Sequence, residues 1–477
     1  MTTVLAIDQG TSGTKAVVVD ETDRTLSIAE RPVHPRYLTG GGVEQDPREL
    51  LDSVLDSGRQ AVTEAGVPID CVTLANQGET VLAWDEKTGR PLSQAISWQD
   101  RRAAEICATR GDSAEFVAAR TGLVLDPYFS APKMRWIRER LTTAGVVTTS
   151  DTWLIHQLTG EFVTDVSTAS RSLLTGLDAV SWDPELLAVF GLTDEHLPRI
   201  VANDEPVGET TLFGATSPVG GLAVDQQAAL LAQRCLAPGE AKCTFGTGAF
   251  LLANMGQVPV RSSSGLAASV AWRVRGETSY CFDGQVATAA SAVRWLRGLG
   301  LIADASELDR VAAPDSEGVL CVPALAGLSA PWWAPEAKAV FTGMTLSTAA
   351  GHLVKAVLDG IAAQVAELAD CAARDIGGPL QRLRVDGGLT RSQVLMQAVA
   401  DLLQVPVDVY PSAHATALGA AGFARTAVDS ALPLARAIVD WTPTTSFAPR
   451  MSAADAAGFR VRWRATVDAA AVPKEQS

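Results

Sequence analysis

The chain lacks several things that would place it quickly. It has no C-x-x-C pair, and its seven cysteines (71, 107, 235, 243, 281, 321 and 371) are scattered and odd in number. That excludes a disulfide framework and predicts reduced, mostly buried thiols. The five histidines stand apart without ligand spacing, so no structural zinc site is implied. No apolar run is long enough to span a membrane. The start MTTVLAIDQG has neither a basic region nor a long apolar one, which predicts a cytoplasmic protein without a signal peptide. Basic charge is also scarce. Lys and Arg number 39 against 54 Asp and Glu, a net charge of −15, which argues against nucleic acid as a partner. Neither G-x-x-x-x-G-K-[ST] nor a post-strand G-x-G-x-x-G occurs, so a Walker-type NTPase and a Rossmann dehydrogenase both fit poorly.

What is present begins at residues 4–20, VLAIDQGTSGTKAVVVD. Two β-branched runs flank a small polar turn, which predicts a strand, a tight loop and a returning strand. The loop region holds a carboxylate (Asp8), hydroxyls (Thr11, Ser12, Thr14), glycines (Gly10, Gly13) and a cation (Lys15). Small residues let backbone N–H groups approach phosphate oxygens, and hydroxyls and an ammonium add donors. A carboxylate beside phosphates suits a hydrated Mg²⁺. Alone, the segment reads first as an ordinary glycine-rich hairpin. The chain repeats the pattern at 242–254, KCTFGTGAFLLAN, around Gly246, Thr247 and Gly248. Paired hairpins in two halves suggest a duplicated domain closing over a nucleotide.

The 477 residues suggest two domains of mixed α/β type, with 47% apolar and 19% charged residues as in ordinary globular proteins. Strand-like runs include Val4–Ile7, Ala16–Val19, Cys71–Ala75, Val81–Trp84, Phe250–Ala253, Gly318–Val322 and Leu383–Val385. Helix-like runs include Pro47–Glu64, Asp100–Thr109, Ser113–Arg120, Asp225–Gln233, Ala287–Leu299, Thr348–Arg374 and Thr390–Leu403. The junction falls near LAPGE, Leu236–Glu240, and the closing AAVPKEQS reads as frayed.

Three further segments carry chemistry. ANQGET (75–80) ends a strand and offers Gln77 and Glu79, or forms a surface β-turn. ISWQDRR (96–102) and DPYFSAPK (126–133) offer Trp98 and Tyr128 as an apolar pocket wall, or as packing aromatics. In GLAVDQQ (221–227), Asp225 stands where an extended run becomes a helix. It reads as an N-cap, or as a general base kept ionised by the helix dipole.

Taken in order, these segments resemble the FGGY family of carbohydrate kinases, and most closely its glycerol kinase branch. The matching pieces are AIDQGTSGTKAVVVD, GGVEQDPREL, NQGET, ISWQDRRAAEIC, TGLVLDPYFSAPKMRW, DTWLIHQLTG, TDVSTASRSLL, DQQAALLAQ, TFGTGAFLLAN, GLSAPWW, LRVDGGLTRSQVLMQ and TALGAAGFA. The resemblance implies an α/β, two-domain actin/hexokinase-like (ribonuclease H-like) fold with the active site in the interdomain cleft. The N-terminal domain would cover 1–236 and the nucleotide-binding C-terminal domain 237–477. It implies transfer of the γ-phosphoryl of ATP to a hydroxyl of a small polyol or sugar, with Mg²⁺, in a protein that is often a homo-oligomer.

The resemblance also implies roles for individual residues. Asp225 would be the catalytic base, and Asp8 and Asp225 would serve the metal. Thr11, Ser12, Gly13 and Lys15 would form the first phosphate loop, and Gly246, Thr247 and Gly248 the second. Ala290, Gly387, Gly388, Leu389 and Ser392 would complete the nucleotide site. Gln77, Gly78, Glu79, Trp98, Tyr128, Gln226 and Phe250, with Asp225, would contact the acceptor. Lys15 stands where the branch has Arg, and Ser392 where it has Asn, which leaves the purine contact open.

One departure concerns the acceptor. The branch reads N-Q-R-E-T where this chain reads Asn76-Gln77-Gly78-Glu79-Thr80. Losing a donor aimed at a bound hydroxyl costs about 1–3 kcal/mol. Gly78 also opens volume, so a four- or five-carbon polyol or ketose is the expected beneficiary. The alternative is that Arg101, Arg102 or an ordered water fills the gap. The region 210–221 lacks the Gly/Arg pattern of the branch's fructose-bisphosphate site, which predicts no such inhibition. Two other classes stay in view: an inactive sensor and an actin-like filament subunit.

Overall fold

A computed structural model describes residues 2–471. Two seven-stranded mixed sheets organise it, and each is built around one of the two hairpins. In the first, Val4–Gln9 pairs antiparallel with Gly13–Val19, placing Asp8 opposite Lys15. Its other edge runs parallel to Cys71–Asn76, with Asp8 beside Ala75. In the second, Ala241–Phe245 pairs antiparallel with Ala249–Gly256 and parallel with Leu383–Asp386. The two phosphate-like turns therefore join equivalent strands of equivalent sheets.

The period of two along each strand decides what covers each face. Leu5, Ile7, Ala16 and Val18 face helix Pro47–Ala65 through Leu50, Val54 and Ala61. That helix is set at both ends: the Asp46 side chain accepts from Arg48 N, Pro47 occupies the first turn, and Gly66 closes it in the left-handed region at φ 63. The alternate set, Val4, Ala6, Val17 and Val19, faces helix Ala415–Val428. The second sheet does the same. Cys243, Phe245, Leu251 and Ala253 join the core around the 27-residue helix Ala350–Ile376. Leu252, Trp272 and Cys281 face Leu231, Ala420 and Phe423.

Helices Asp225–Ala232 and Ala415–Val428 thus lie between the two sheets, and their closeness depends on small residues. A Cβ at Gly419 would sit 1.8 Å from the Ala228 carbonyl oxygen, and one at Gly221 would sit 2.3 Å from Ala424 N. This backbone contact fixes the helix whose first residue is Asp225.

Most expected elements form within a few residues of their expected bounds, with two instructive exceptions. The helix expected over Asp100–Thr109 is only Ala104–Ala108. The Asp100 carboxylate accepts from Val43 N at 2.7 Å and from Arg102, which holds the preceding residues in a turn. The helix expected from Thr390 starts at Gln393, because Ser392 caps it by accepting from Leu395 N. All seven cysteines are buried and free. No helix among the described residues is long and apolar enough to cross a membrane. The frayed end read at AAVPKEQS lies, from Val472 onward, outside the described residues.

Candidate active site

The two hairpin turns, the N-terminus of helix Asp225–Ala232 and the end of strand Cys71–Asn76 converge on one cavity of about 170 Å³. Thr11 and Ser12 reach it from the first turn and Thr247 from the second. Gln77, Glu79, Trp98, Tyr128 and Phe250 line it, with Asp225 and Gln226 at the helix start. Ten of the expected site residues are therefore brought together. Three further lining residues, Arg171, Val224 and Gln227, were not singled out in the sequence.

The NQGET segment is not the surface β-turn that was one reading of it. Gln77 is 4% and Glu79 3% exposed. The chain folds inward there because Gly78 and Glu79 both take positive φ, 54 and 43. Gln77 Nε2 donates to Gln45 Oε1 at 3.0 Å, and Glu79 accepts from Arg171 Nε. Neither Arg101 nor Arg102 fills the space at 78. Arg101 pairs with Asp126 at 2.8 Å, and Arg102 pairs with Glu44 at 2.9 Å and Asp100 at 2.7 Å. The guanidinium in the cavity belongs to Arg171. A Cβ at Gly78 would find only Val224 within 4 Å, at 3.4 Å.

The aromatic wall is continuous across the two halves. Trp98 packs edge-on against Tyr128 and Phe250, with ring centroids 5.7 and 5.8 Å away. Its indole Nε1 donates to Thr11 Oγ1 at 2.8 Å, which ties the wall to the first phosphate-like turn. The Tyr128 loop is held by the buried Lys133 ammonium, which donates to the carbonyls of Pro127, Tyr128 and Phe129 at 2.8, 2.5 and 2.6 Å. Burial lowers the Lys133 pKa to about 8.

Acidic groups crowd the cleft. Burial, then the nearby Asp225 carboxylate, pushes Asp8 up to about 7, with Lys15 opposing and Asp386 adding to the rise. Lys15 itself pairs with Glu30 at 3.0 Å. Burial also raises Asp225 and Asp386, and in both cases Lys242 is the main opposing charge. Lys242 is fully buried, and its ammonium donates to Gln226 Oε1 at 2.5 Å and Thr244 Oγ1 at 2.9 Å. Thr244 in turn donates to Asp386 at 2.6 Å. Sequence reading missed Lys242 as it missed Arg171.

This excess of carboxylate charge suits a divalent cation. Among the described residues no three His, Cys, Asp or Glu side chains are grouped closely enough to hold one by themselves. Asp8 and Asp225 would hold Mg²⁺ from the protein side, with phosphate oxygens and water completing its shell, as that ion prefers.

A second cavity, of about 330 Å³, lies beside the second sheet. Gly388, Leu389 and Ser392 line it opposite Asp304–Asp309. Gly387 precedes it at φ 96, where a Cβ would strike the Phe245 carbonyl oxygen at 2.4 Å. Ser392 Oγ donates to Asp309 at 2.6 Å and accepts from Leu395 N, so its hydroxyl is already engaged. The second phosphate-like turn bridges towards this region. Gly248 is pressed against Val286, with a Cβ distance of 2.5 Å to its carbonyl, and Ala290 N donates to the Gly246 carbonyl at 3.1 Å. Gly13, in the first turn, accepts from Gly10 N at 3.0 Å.

Residues 3–232 match the N-terminal domain and residues 241–428 the C-terminal domain of the FGGY family of carbohydrate kinases. The chain is 41% identical to glycerol kinase of Alkalilimnicola ehrlichii and 42% identical to that of Thermus brockianus, each over 98% of both chains. Its fold is similar to a structure of Plasmodium falciparum glycerol kinase with ADP, with TM-score 0.90, 31% identity and 99% of each chain covered. A ligand-bound xylulose kinase from Lactobacillus acidophilus shares the fold, with TM-score 0.88 at 19% identity over 98% of each chain.

Proposed function

Since the chain belongs to the FGGY family of carbohydrate kinases, we propose that its 170 Å³ cavity holds a small polyol of the glycerol type and that the γ-phosphoryl of ATP passes to one of its hydroxyls. The observation that carries this reading is the position of Asp225. It stands at a helix N-terminus in the cavity that Thr11, Ser12 and Thr247 share with the aromatic wall.

Phosphoryl transfer asks the protein for positioning and charge neutralisation more than for covalent chemistry. Asp225 accepts the proton of the attacking hydroxyl as the O–P bond forms. Gln226 N donates to its carboxylate at 2.7 Å and orients it. Thr11, Ser12 and the 246–248 turn present hydroxyls and backbone donors to the phosphates. The 330 Å³ cavity takes the adenosine against the Gly387–Gly388 turn. Trp98, Tyr128 and Phe250 cover the carbon chain of the acceptor and keep water from the reacting oxygen. Asp8 and Asp225 would hold a Mg²⁺ ion, which when bound would neutralise charge at the phosphate oxygens.

Gly78 favours a second reading, a four- or five-carbon polyol or ketose, because it leaves space beside Val224. Gly78→Arg tests it. A new donor there is worth about 1–3 kcal/mol to a hydroxyl it reaches, so kcat/KM for glycerol relative to erythritol should rise about tenfold. The left-handed φ of 54 sets a stability loss of about 1–2 kcal/mol against this, visible by thermal unfolding. An unchanged ratio would remove position 78 from acceptor selection.

A further inference from the structure

Arg171 follows the short helix Val166–Ser170 and is only 3% exposed in its side chain. It lines the acceptor cavity. Its Nε donates to Glu79, and its Nη2 donates to the Tyr128 hydroxyl at 3.1 Å. Its Nη1 lies 2.7 Å from Asp283 Oδ2 but makes no aligned hydrogen bond. Asp283 belongs to strand Glu277–Val286 of the second sheet, whereas Arg171 and Glu79 come from the first half of the chain. One cation is thus shared by two buried carboxylates from opposite sides of the cleft. Asp283 Oδ1 and Gln77 Oε1 are also buried without a hydrogen-bond partner among the described residues.

A guanidinium held only for structure would have its N–H groups satisfied, since an unmet buried donor costs free energy. Here the donor without an aligned acceptor belongs to a residue that lines the acceptor cavity together with Gln77, Glu79 and Tyr128. A polyol hydroxyl accepts from an N–H and donates to a carboxylate, and both kinds of group stand together at this site.

We propose that Arg171 is a specificity-determining residue that donates from Nη1 to a hydroxyl of the acceptor, and that its pairing with Asp283 makes this recognition depend on both halves of the chain. This rests on the polyol kinase reading above. A planar fork fixed by Glu79 and Tyr128 aims its remaining donors, which a lysine ammonium would not do.

The test is a cycle between residue and substrate, measured as Mg-ATP-dependent ADP release. Glycerol is compared with 1,2-propanediol and 1,3-propanediol, each lacking one hydroxyl, in the unaltered enzyme and in Arg171→Lys. In the unaltered enzyme, removing the hydroxyl that Arg171 meets should lower kcat/KM about 10- to 100-fold. In Arg171→Lys the penalty for that same analogue should shrink to within about twofold, because the ammonium no longer holds a donor at the guanidinium's fixed position. A structural role would lower all three substrates by one factor and leave the penalty intact, and that result would overturn the proposal. Should Arg171→Lys fail to fold, the double change Arg171→Met with Asp283→Asn removes the cation and one carboxylate together. It preserves the net charge of the cluster, and the same loss of discrimination is expected. If the unaltered enzyme turns over none of the polyols, the functional reading fails first. If it turns them over and the penalty persists in the variant, Arg171 alone is wrongly assigned.

Discussion

Asp225→Asn should lower kcat by about 10²- to 10⁴-fold in steady-state ADP release while leaving the fold intact. The replacement keeps the shape and the oxygen that accepts from Gln226 N, and removes only the capacity to take a proton. Its stability can be predicted with a sign. Burial raises the folded-state pKa of Asp225 above its unfolded value, so ionisation opposes folding once the pH passes the unfolded value. At neutral pH the neutral amide escapes that cost, and the variant should unfold at the same temperature as the parent or higher. Near-normal turnover would remove Asp225 as the base. A large fall in unfolding temperature would make it a structural residue instead.

Gly419→Val should be the most damaging change away from the cleft surface. The new side chain would begin 1.8 Å from the Ala228 carbonyl oxygen, and a backbone atom inside a helix cannot rotate away. Helices Asp225–Ala232 and Ala415–Val428 would have to separate, and both sheets pack on that pair. We expect a loss of about 3 kcal/mol or more, read by chemical denaturation, together with lower turnover because Asp225 moves with its helix. Gly298 is the matched control. It ends a helix with nothing within 4 Å of its Cβ position, so Gly298→Ala should be neutral or stabilising by up to about 1 kcal/mol. Equal effects of the two changes would mean that the close crossing is not what the clash distance implies.

Much of this molecule could be read from its residues because the informative features are local. Each hairpin carries its own turn chemistry and β-branched flanks, so the strands around Thr11–Gly13 and Gly246–Gly248 are legible from local sequence alone. The aromatic wall and Asp225 followed from ordered segments along the chain. What escaped is what only tertiary structure decides. Arg171 meets Glu79 across 92 residues of sequence, and nothing near either residue announces the other. A buried glutamate needs a cation, but the chain offered Arg101 and Arg102 nearer in sequence, and both are engaged elsewhere. Lys242 reads as a strand residue and is the largest charge opposing the rise of both Asp225 and Asp386. The inward fold of Gly78–Glu79 and the helix lost at Asp100 are cases in which a side chain or a positive φ overruled local pattern. The crossing of Ala415–Val428 behind the opening strands joins residues some four hundred positions apart, so no window of sequence reveals it.

The most direct test of the central claim is ADP release from Mg-ATP across glycerol, erythritol, threitol, the pentitols, dihydroxyacetone, erythrulose and the pentuloses. The cavity and its base predict release that depends on at least one small polyol, saturates with it and disappears on chelation of Mg²⁺. A glycerol preference would mean that the cavity recognises three carbons without a side chain at 78, and a preference for a longer acceptor would mean that Gly78 sets its length. No acceptor-dependent release with any of them, from protein that binds Mg-ATP, would contradict the assignment of this site as a polyol kinase.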